Sequence, residues 1–233
     1  MNIIDINAIT RDYPMLKMPG PEDSHKGTFG TLGITGGAAG MTGAVILAGC
    51  AALKTGCGKV ILGFNQPQLP VPFVENAPEL MLRTARALAD DPALTAQVTG
   101  PGLGQNTESR VLAEAAFMQT GKPQVLDADA LNILAVMPGI ALDDKCVITP
   151  HPQEAARLLH TRVADIQADR PAAALALAAQ YHCWAVLKGH RSLIVSPDGE
   201  LWCNHSGNRG LATAGSGDVL SGIIGRLPAP RCC

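Results

Sequence analysis

Short runs rich in apolar and β-branched residues alternate along this chain with longer Ala- and Leu-rich stretches. The short runs predict strands over 31–35, 59–63, 97–99, 124–126, 146–149, 184–187, 192–196 and 200–203. The longer stretches predict helices over 41–55, 108–119, 130–136, 152–160, 163–180 and 216–227. Apolar strands alternating with helices point to an α/β fold, with a mostly parallel central sheet covered on both faces. The last two strands flank Pro197-Asp198-Gly199, where Pro sets φ and Gly supplies a positive φ, so they read as a hairpin. No repeat, charge block or low-complexity linker interrupts the pattern, so residues 1–233 read as one domain. In such a sheet ligands bind outside the carboxyl ends of the strands, which directs attention to the loops that follow them.

Composition narrows the class. Apolar residues make up 47% of the chain, enough to bury a sizeable core and to exclude wholesale disorder. Eighteen basic and 20 acidic residues nearly cancel, and no basic run occurs, so neither nucleic acid nor an anionic membrane surface is an expected partner. Gly, Pro or charge interrupts every apolar stretch before the ~20 residues of a membrane span. Met1-Asn2-Ile3-Ile4-Asp5 lacks a basic segment followed by an apolar block, so no signal peptide is expected. The seven cysteines form no C-x-x-C pair, which suits buried thiols in a reducing, cytoplasmic compartment. With 25 Gly and 17 Pro, the chain has the composition of tight strand-to-helix turns that bring backbone close to a ligand.

Five constellations carry candidate chemistry. Gly36-Gly37-Ala38-Ala39-Gly40-Met41-Thr42-Gly43-Ala44 follows a strand and opens a helix, a place where backbone N–H groups can meet an anion. It is not a dinucleotide fingerprint, because position 38 is Ala and the next strand runs into Gly63-Phe64-Asn65 without an acid. Gly100-Pro101-Gly102-Leu103-Gly104 occupies another strand end, where a rigid turn would serve packing as well as binding. In Thr149-Pro150-His151-Pro152-Gln153-Glu154, Pro152 suits a first helical turn. His151 is placed to cap that helix or to face the crevice together with Glu154. Leu187-Lys188-Gly189-His190-Arg191-Ser192 can hold a nucleotide phosphate or ribose by charge and backbone N–H, or can be a surface turn.

The most informative constellation is Asn208-Arg209-Gly210-Leu211-Ala212-Thr213-Ala214-Gly215-Ser216-Gly217-Asp218, which leads into an apolar helix. Its small residues bring successive amides onto a helix N-terminus, an anion hole, and Asp218 stands beside it. That carboxylate can complement the helix dipole, or act as the base that activates a hydroxyl for phosphoryl transfer. The Walker A pattern, zinc-ligand spacing and the G-x-S-x-G elbow are all absent from the sequence.

Taken in order, these segments resemble the ADP- or ATP-dependent (S)-NAD(P)H-hydrate dehydratases of the ribokinase-like superfamily. Ser24-His25-Lys26-Gly27, 36–44, 100–104, Val125-Leu126-Asp127-Ala128-Asp129-Ala130-Leu131-Asn132, 149–154, Lys188-Gly189 and 207–222 carry the resemblance. It implies a ribokinase-like three-layer αβα sandwich, and repair of NADH or NADPH hydrated on the nicotinamide ring. The nucleotide would phosphorylate the C6 hydroxyl, and phosphate would then be eliminated. On this pattern Asp218 is the catalytic base, and Ala44, Gly102, Gly104 and His151 line the hydrate site with it. Lys188, Gly189, His190, Arg191 and Ser192 would hold the nucleotide together with Gly215, Ser216 and Gly217. Mg²⁺ would bridge the phosphates, with Glu154 as an outer carboxylate. Stand-alone bacterial members generally use ADP and eukaryotic ones ATP, so ADP is the expected co-substrate. The resemblance also implies a homo-oligomer, a tetramer, and an NAD(P)H-hydrate epimerase acting as a separate protein.

Two departures from the family pattern stand out. Arg209 occupies a position where relatives carry Pro or another small residue. The last helix runs into Arg226-Leu227-Pro228-Ala229-Pro230-Arg231-Cys232-Cys233 where relatives continue with further helices, so a truncated or frameshifted end after about 226 is expected, with an uncovered helix face. Two other functions use the same residues: a ribokinase-like kinase of a small hydroxylated metabolite, and a nucleotide-binding chain without turnover.

Overall fold

The computed structural model describes residues 2–4, 23, 29–89 and 91–226. The motif at 24–27 and the end after 226 lie outside the described residues. Ten strands form one sheet in the order β1-β10-β9-β8-β7-β6-β5-β2-β3-β4. These are β1 (Asn2–Ile4), β2 (Thr31–Gly36), β3 (Lys59–Phe64), β4 (Met81–Thr84), β5 (Ala96–Thr99), β6 (Gln124–Leu126), β7 (Cys146–Ile148), β8 (Trp184–Leu187), β9 (Leu193–Val195) and β10 (Leu201–Asn204). Only β9 runs against the rest; it is antiparallel to both β8 and β10, and every other pairing is parallel. The β9–β10 pair is the hairpin expected around Pro197-Asp198-Gly199, with Val195 opposite Leu201.

Successive strand residues face opposite sides of a sheet, and the core divides accordingly. Val60, Leu62 and Phe64 of β3 join Leu32, Ile34 and Val98 beneath α1 (Thr42–Lys54) and α8 (Ser216–Arg226), whereas Ile61 turns to the other face against Leu88. That second face is covered by α2 (Ala85–Ala89), α3 (Thr107–Phe117), α4 (Asp129–Leu134), α5 (Pro152–Leu158), α6 (Val163–Ala168) and α7 (Arg170–Tyr181). The result is the expected three-layer αβα sandwich. Among the described residues no helix is long and apolar enough to cross a membrane.

The structure corrects the sequence reading in four places. The helix expected over 163–180 is two helices, broken at Asp169, whose side chain caps α7 by accepting from the Ala172 amide at 3.0 Å. Pro171 in the first turn of α7 has no amide to continue a helix from before it. The edge strands β1 and β4 and the short α2 were not anticipated, because a four-residue edge strand such as Met-Leu-Arg-Thr is half exposed and carries no apolar run.

Helix α8 reaches its site by packing unusually close to its neighbours. A Cβ on Gly222 would lie 2.0 Å from the Ala48 carbonyl oxygen of α1, and one on Gly225 would lie 2.4 Å from Val98 Cγ2 of β5. Gly222→Ala should therefore destabilise the protein by about 1–3 kcal/mol through overpacking. Gly43 sits in α1 with nothing within 4 Å of its Cβ position, so Gly43→Ala should instead add roughly 0.5–1 kcal/mol of helix propensity. Urea unfolding of the two variants should move in opposite directions; a neutral Gly222→Ala would refute the close approach.

Candidate active site at the carboxyl ends of the strands

The chain leaves β2 for β3 and β4 on one side, then returns to β5 on the other. That reversal opens a crevice at the carboxyl ends of β2 and β5, and the two Gly-rich loops meet there. The Gly37 amide donates to the Pro101 carbonyl at 2.9 Å and the Ala38 amide to the Gly102 carbonyl at 2.7 Å. A Cβ on Gly102 would sit 3.2 Å from Ala44 Cβ and 2.8 Å from Met41 Cβ. Gly104 donates its amide to Asp129 Oδ2 at 2.8 Å, with Ala38 alongside. Ala44, Gly102 and Gly104, expected to share a ligand, thus line one small-residue wall.

Beyond β7, His151 caps α5. Its Nδ1 accepts the amides of Gln153 (3.1 Å) and Glu154 (3.2 Å), while Glu154 Oε2 accepts the His151 amide at 2.7 Å. An Nδ1 used as acceptor places the ring proton on Nε2, which lies 3.3 Å from Glu154 Oε1. Burial, followed by the charges of Lys188 and Arg157, pushes the imidazole pKa down, so the ring is a neutral donor at pH 7. Burial also raises the Glu154 carboxyl to about 7, only partly opposed by Lys188.

Lys188, at the end of β8, joins this cap to α8. Its ammonium lies 2.7 Å from Asp127 Oδ1 and 3.9 Å from Glu154 Oε2. The other Asp127 oxygen accepts from the buried Ser221 hydroxyl of α8 at 2.6 Å. A Cβ at Gly217 would be 3.6 Å from Lys188 Nζ and 3.9 Å from Asp127 Oδ2, so the ion pair sits directly against the first turn of α8. The amides of that turn have no acceptor within their own helix. The Lys188 ammonium beside them adds positive charge, which Asp127 partly offsets. Asp218 is raised by burial and then by the negative charge of Asp127, with Lys188 opposing, which makes it a stronger base than an exposed aspartate.

The remaining expected residues are placed unevenly. Gly215 packs against Leu47 of α1, and Ser216 donates its hydroxyl to the Thr213 carbonyl at 3.0 Å, so both sit where the chain enters α8. Ser192 donates to the Gly189 carbonyl at 3.0 Å and closes the turn. His190 and Arg191 are exposed on that turn. Asp127 and Ser221 received no role from the sequence, although Asp127-Ala128-Asp129 follows a strand. The signal is backbone strain: Ala128 adopts φ 49°, ψ −117°, a conformation that costs on the order of 1–3 kcal/mol. It sends the Asp127 side chain to Lys188 and that of Asp129 to Gly104.

Among the described residues no cluster of three or more His, Cys, Asp or Glu forms a metal site by itself. A carboxylate, an ammonium and a helix N-terminus converge at one strand-end crevice of an α/β sandwich, which is the placement of an enzyme site. The fold matches a ribokinase-like superfamily protein of Enterococcus faecalis with a TM-score of 0.80 at 25% identity, covering 98% of this chain and 80% of that one. The family model described as NAD(P)H-hydrate dehydratase matches residues 32–230. An ADP-dependent (S)-NAD(P)H-hydrate dehydratase of Neisseria meningitidis serogroup B is 53% identical over 222 residues, which are 93% of this chain and 75% of the relative. An ADP/ATP-dependent NAD(P)H-hydrate dehydratase of Bacillus subtilis, co-crystallised with ATP/Mg²⁺, matches with a TM-score of 0.79 at 33% identity, covering 91% of this chain and 76% of that one. The chain belongs to the NAD(P)H-hydrate dehydratase family.

The raised Glu154 carboxyl has a consequence for stability. Its folded pKa of about 7 exceeds its ordinary 4.5, so between these values the folded protein holds more protons than the unfolded chain. Stability must then fall as pH rises through that window, by on the order of 2–3 kcal/mol from this group. Glu154→Gln should remove that component. Urea unfolding at pH 5 and pH 8, with EDTA present, should give a smaller loss for the variant than for the parent; equal losses would contradict the assignment.

Proposed function

We propose that this chain is an ADP-dependent dehydratase of (S)-NAD(P)H hydrate and restores the dihydronicotinamide ring. The observation that carries this reading is Asp218, a carboxylate of raised basicity in the first turn of α8, beside the start of that helix and the Lys188 ammonium. Asp218 takes the proton of the C6 hydroxyl as its oxygen attacks the terminal phosphorus of the nucleotide. The bond from that phosphorus to the bridging oxygen breaks, and AMP departs. The amides of Gly215, Ser216 and Gly217 carry the charge on the transferring group. Phosphate then leaves C6 with its electron pair, a proton leaves the neighbouring ring carbon, and the double bond is restored.

The small-residue wall of Ala44, Gly102 and Gly104 gives a flat nicotinamide ring backbone-close access, and the neutral His151 is available to donate from Nε2. Lys188 to Ser192 take the nucleotide phosphates and ribose. Oxygen donors suit Mg²⁺, and Glu154, whose Oε2 accepts the His151 amide, would face the metal's water shell as an outer carboxylate through Oε1. When bound, Mg²⁺ neutralises the phosphates and orients them.

Recovery of absorbance at 340 nm from NADH hydrate tests this directly. It should require a nucleotide, with ADP favoured over ATP. Asp218→Asn should lower kcat by roughly 10²–10⁴-fold while ADP still binds. Nucleotide-independent recovery, or a stable phosphorylated product, would overturn the reading, the second in favour of a kinase.

A further inference from the structure

The break at Asp169 makes Arg170 the first residue of α7, a position where the helix dipole opposes a cation. Its guanidinium meets no carboxylate among the described residues. Nη2 instead donates to the carbonyls of Leu187 (3.2 Å) and Lys188 (3.3 Å), and Nη1 to the Gln167 side-chain oxygen (3.4 Å). Gly189 lies against the guanidinium: a Cβ there would be 3.0 Å from Nη1 and 3.4 Å from Cζ, and its φ of +140° favours glycine. The Lys188 amide is held from the other side by the Pro150 carbonyl at 2.8 Å. Lys188 is thus gripped at three points: amide by Pro150, carbonyl by Arg170, and ammonium by Asp127.

We propose that Arg170 is a positioning residue of the nucleotide site. It fixes the Lys188–Gly189 peptide so that the ammonium reaches the first turn of α8. Because it bonds carbonyls rather than a carboxylate, it also leaves a positive charge under the loop that receives the phosphates. This role rests on the assignment of residues 188–192 to the nucleotide, made above. A residue needed only to cap or pack α7 would not be a cation at that helix end, and would not dictate glycine at position 189.

The test uses the full chain with Arg170→Met, which keeps length and apolar packing, and Arg170→Lys, which keeps charge but offers one ammonium for two carbonyls. Calorimetric titration with ADP and Mg²⁺, melting curves without ligand, and NADH-hydrate kinetics would be compared with the parent. R170M should weaken ADP about tenfold, the equivalent of a charge-assisted hydrogen bond, and raise the KM for ADP far more than it lowers kcat. R170K should fall between. An unchanged ADP dissociation constant in R170M, with or without a lower melting temperature, makes Arg170 a stability residue and overturns the proposal. If R170M is too unstable to titrate, an unchanged constant in R170K does the same. A parent chain that binds neither ADP nor ATP would instead overturn the assignment of the loop, and the role of Arg170 with it.

Discussion

The buried ion pair between Asp127 and Lys188 is the contact on which the site depends. Asp127 is 2% exposed, a depth at which a polar group needs hydrogen-bond partners. Its two oxygens join separate parts of the chain, Lys188 at the end of β8 and Ser221 within α8. The pair fixes where α8 begins relative to the sheet, and with it the anion hole and Asp218. Burial, and then the negative charge of Asp127, raises the proton affinity of Asp218, while the ammonium limits that rise. The backbone strain at Ala128 is tolerated because the aspartates on either side of it are both bonded.

Close packing supplies the rigidity that this electrostatic arrangement needs. Gly222 lets α8 lie on the backbone of α1, and Gly225 lets it lie on the Val98 and Leu32 side chains of β5 and β2, so the helix that carries Asp218 is closely seated on both. On the far side of the crevice, the His151–Glu154 capping box holds α5 against the same ammonium. A neutral imidazole and a carboxyl that titrates near 7 are therefore fixed beside the Lys188 ammonium by hydrogen bonds that also start a helix.

Much of this was legible in the sequence, for identifiable reasons. Parallel strands announce themselves as apolar runs, and the segments that end them placed Gly102, Gly104, Lys188 and Asp218 at the carboxyl ends of the sheet. The missed residues act across distance in the chain: Ser221 bonds Asp127 over 94 positions and Lys188 bonds it over 61. No local pattern encodes such pairs. The continuous helix expected over 163–180 failed because an Ala- and Leu-rich period outweighed Asp169 and Pro171, a cap and a first-turn proline that together specify a new start. That failure fell at Arg170, where a local rule is broken beside the site.

A double-mutant cycle on nucleotide affinity probes the ion pair most directly. ADP dissociation constants would be measured for the parent, Asp127→Asn, Lys188→Met and the double variant. If Asp127 serves the nucleotide by holding the Lys188 ammonium, Asp127→Asn should matter little once Lys188 is gone, giving a coupling of at least about 1.4 kcal/mol, a factor of ten. Effects that add to within ~0.5 kcal/mol would contradict it and leave the two residues independent.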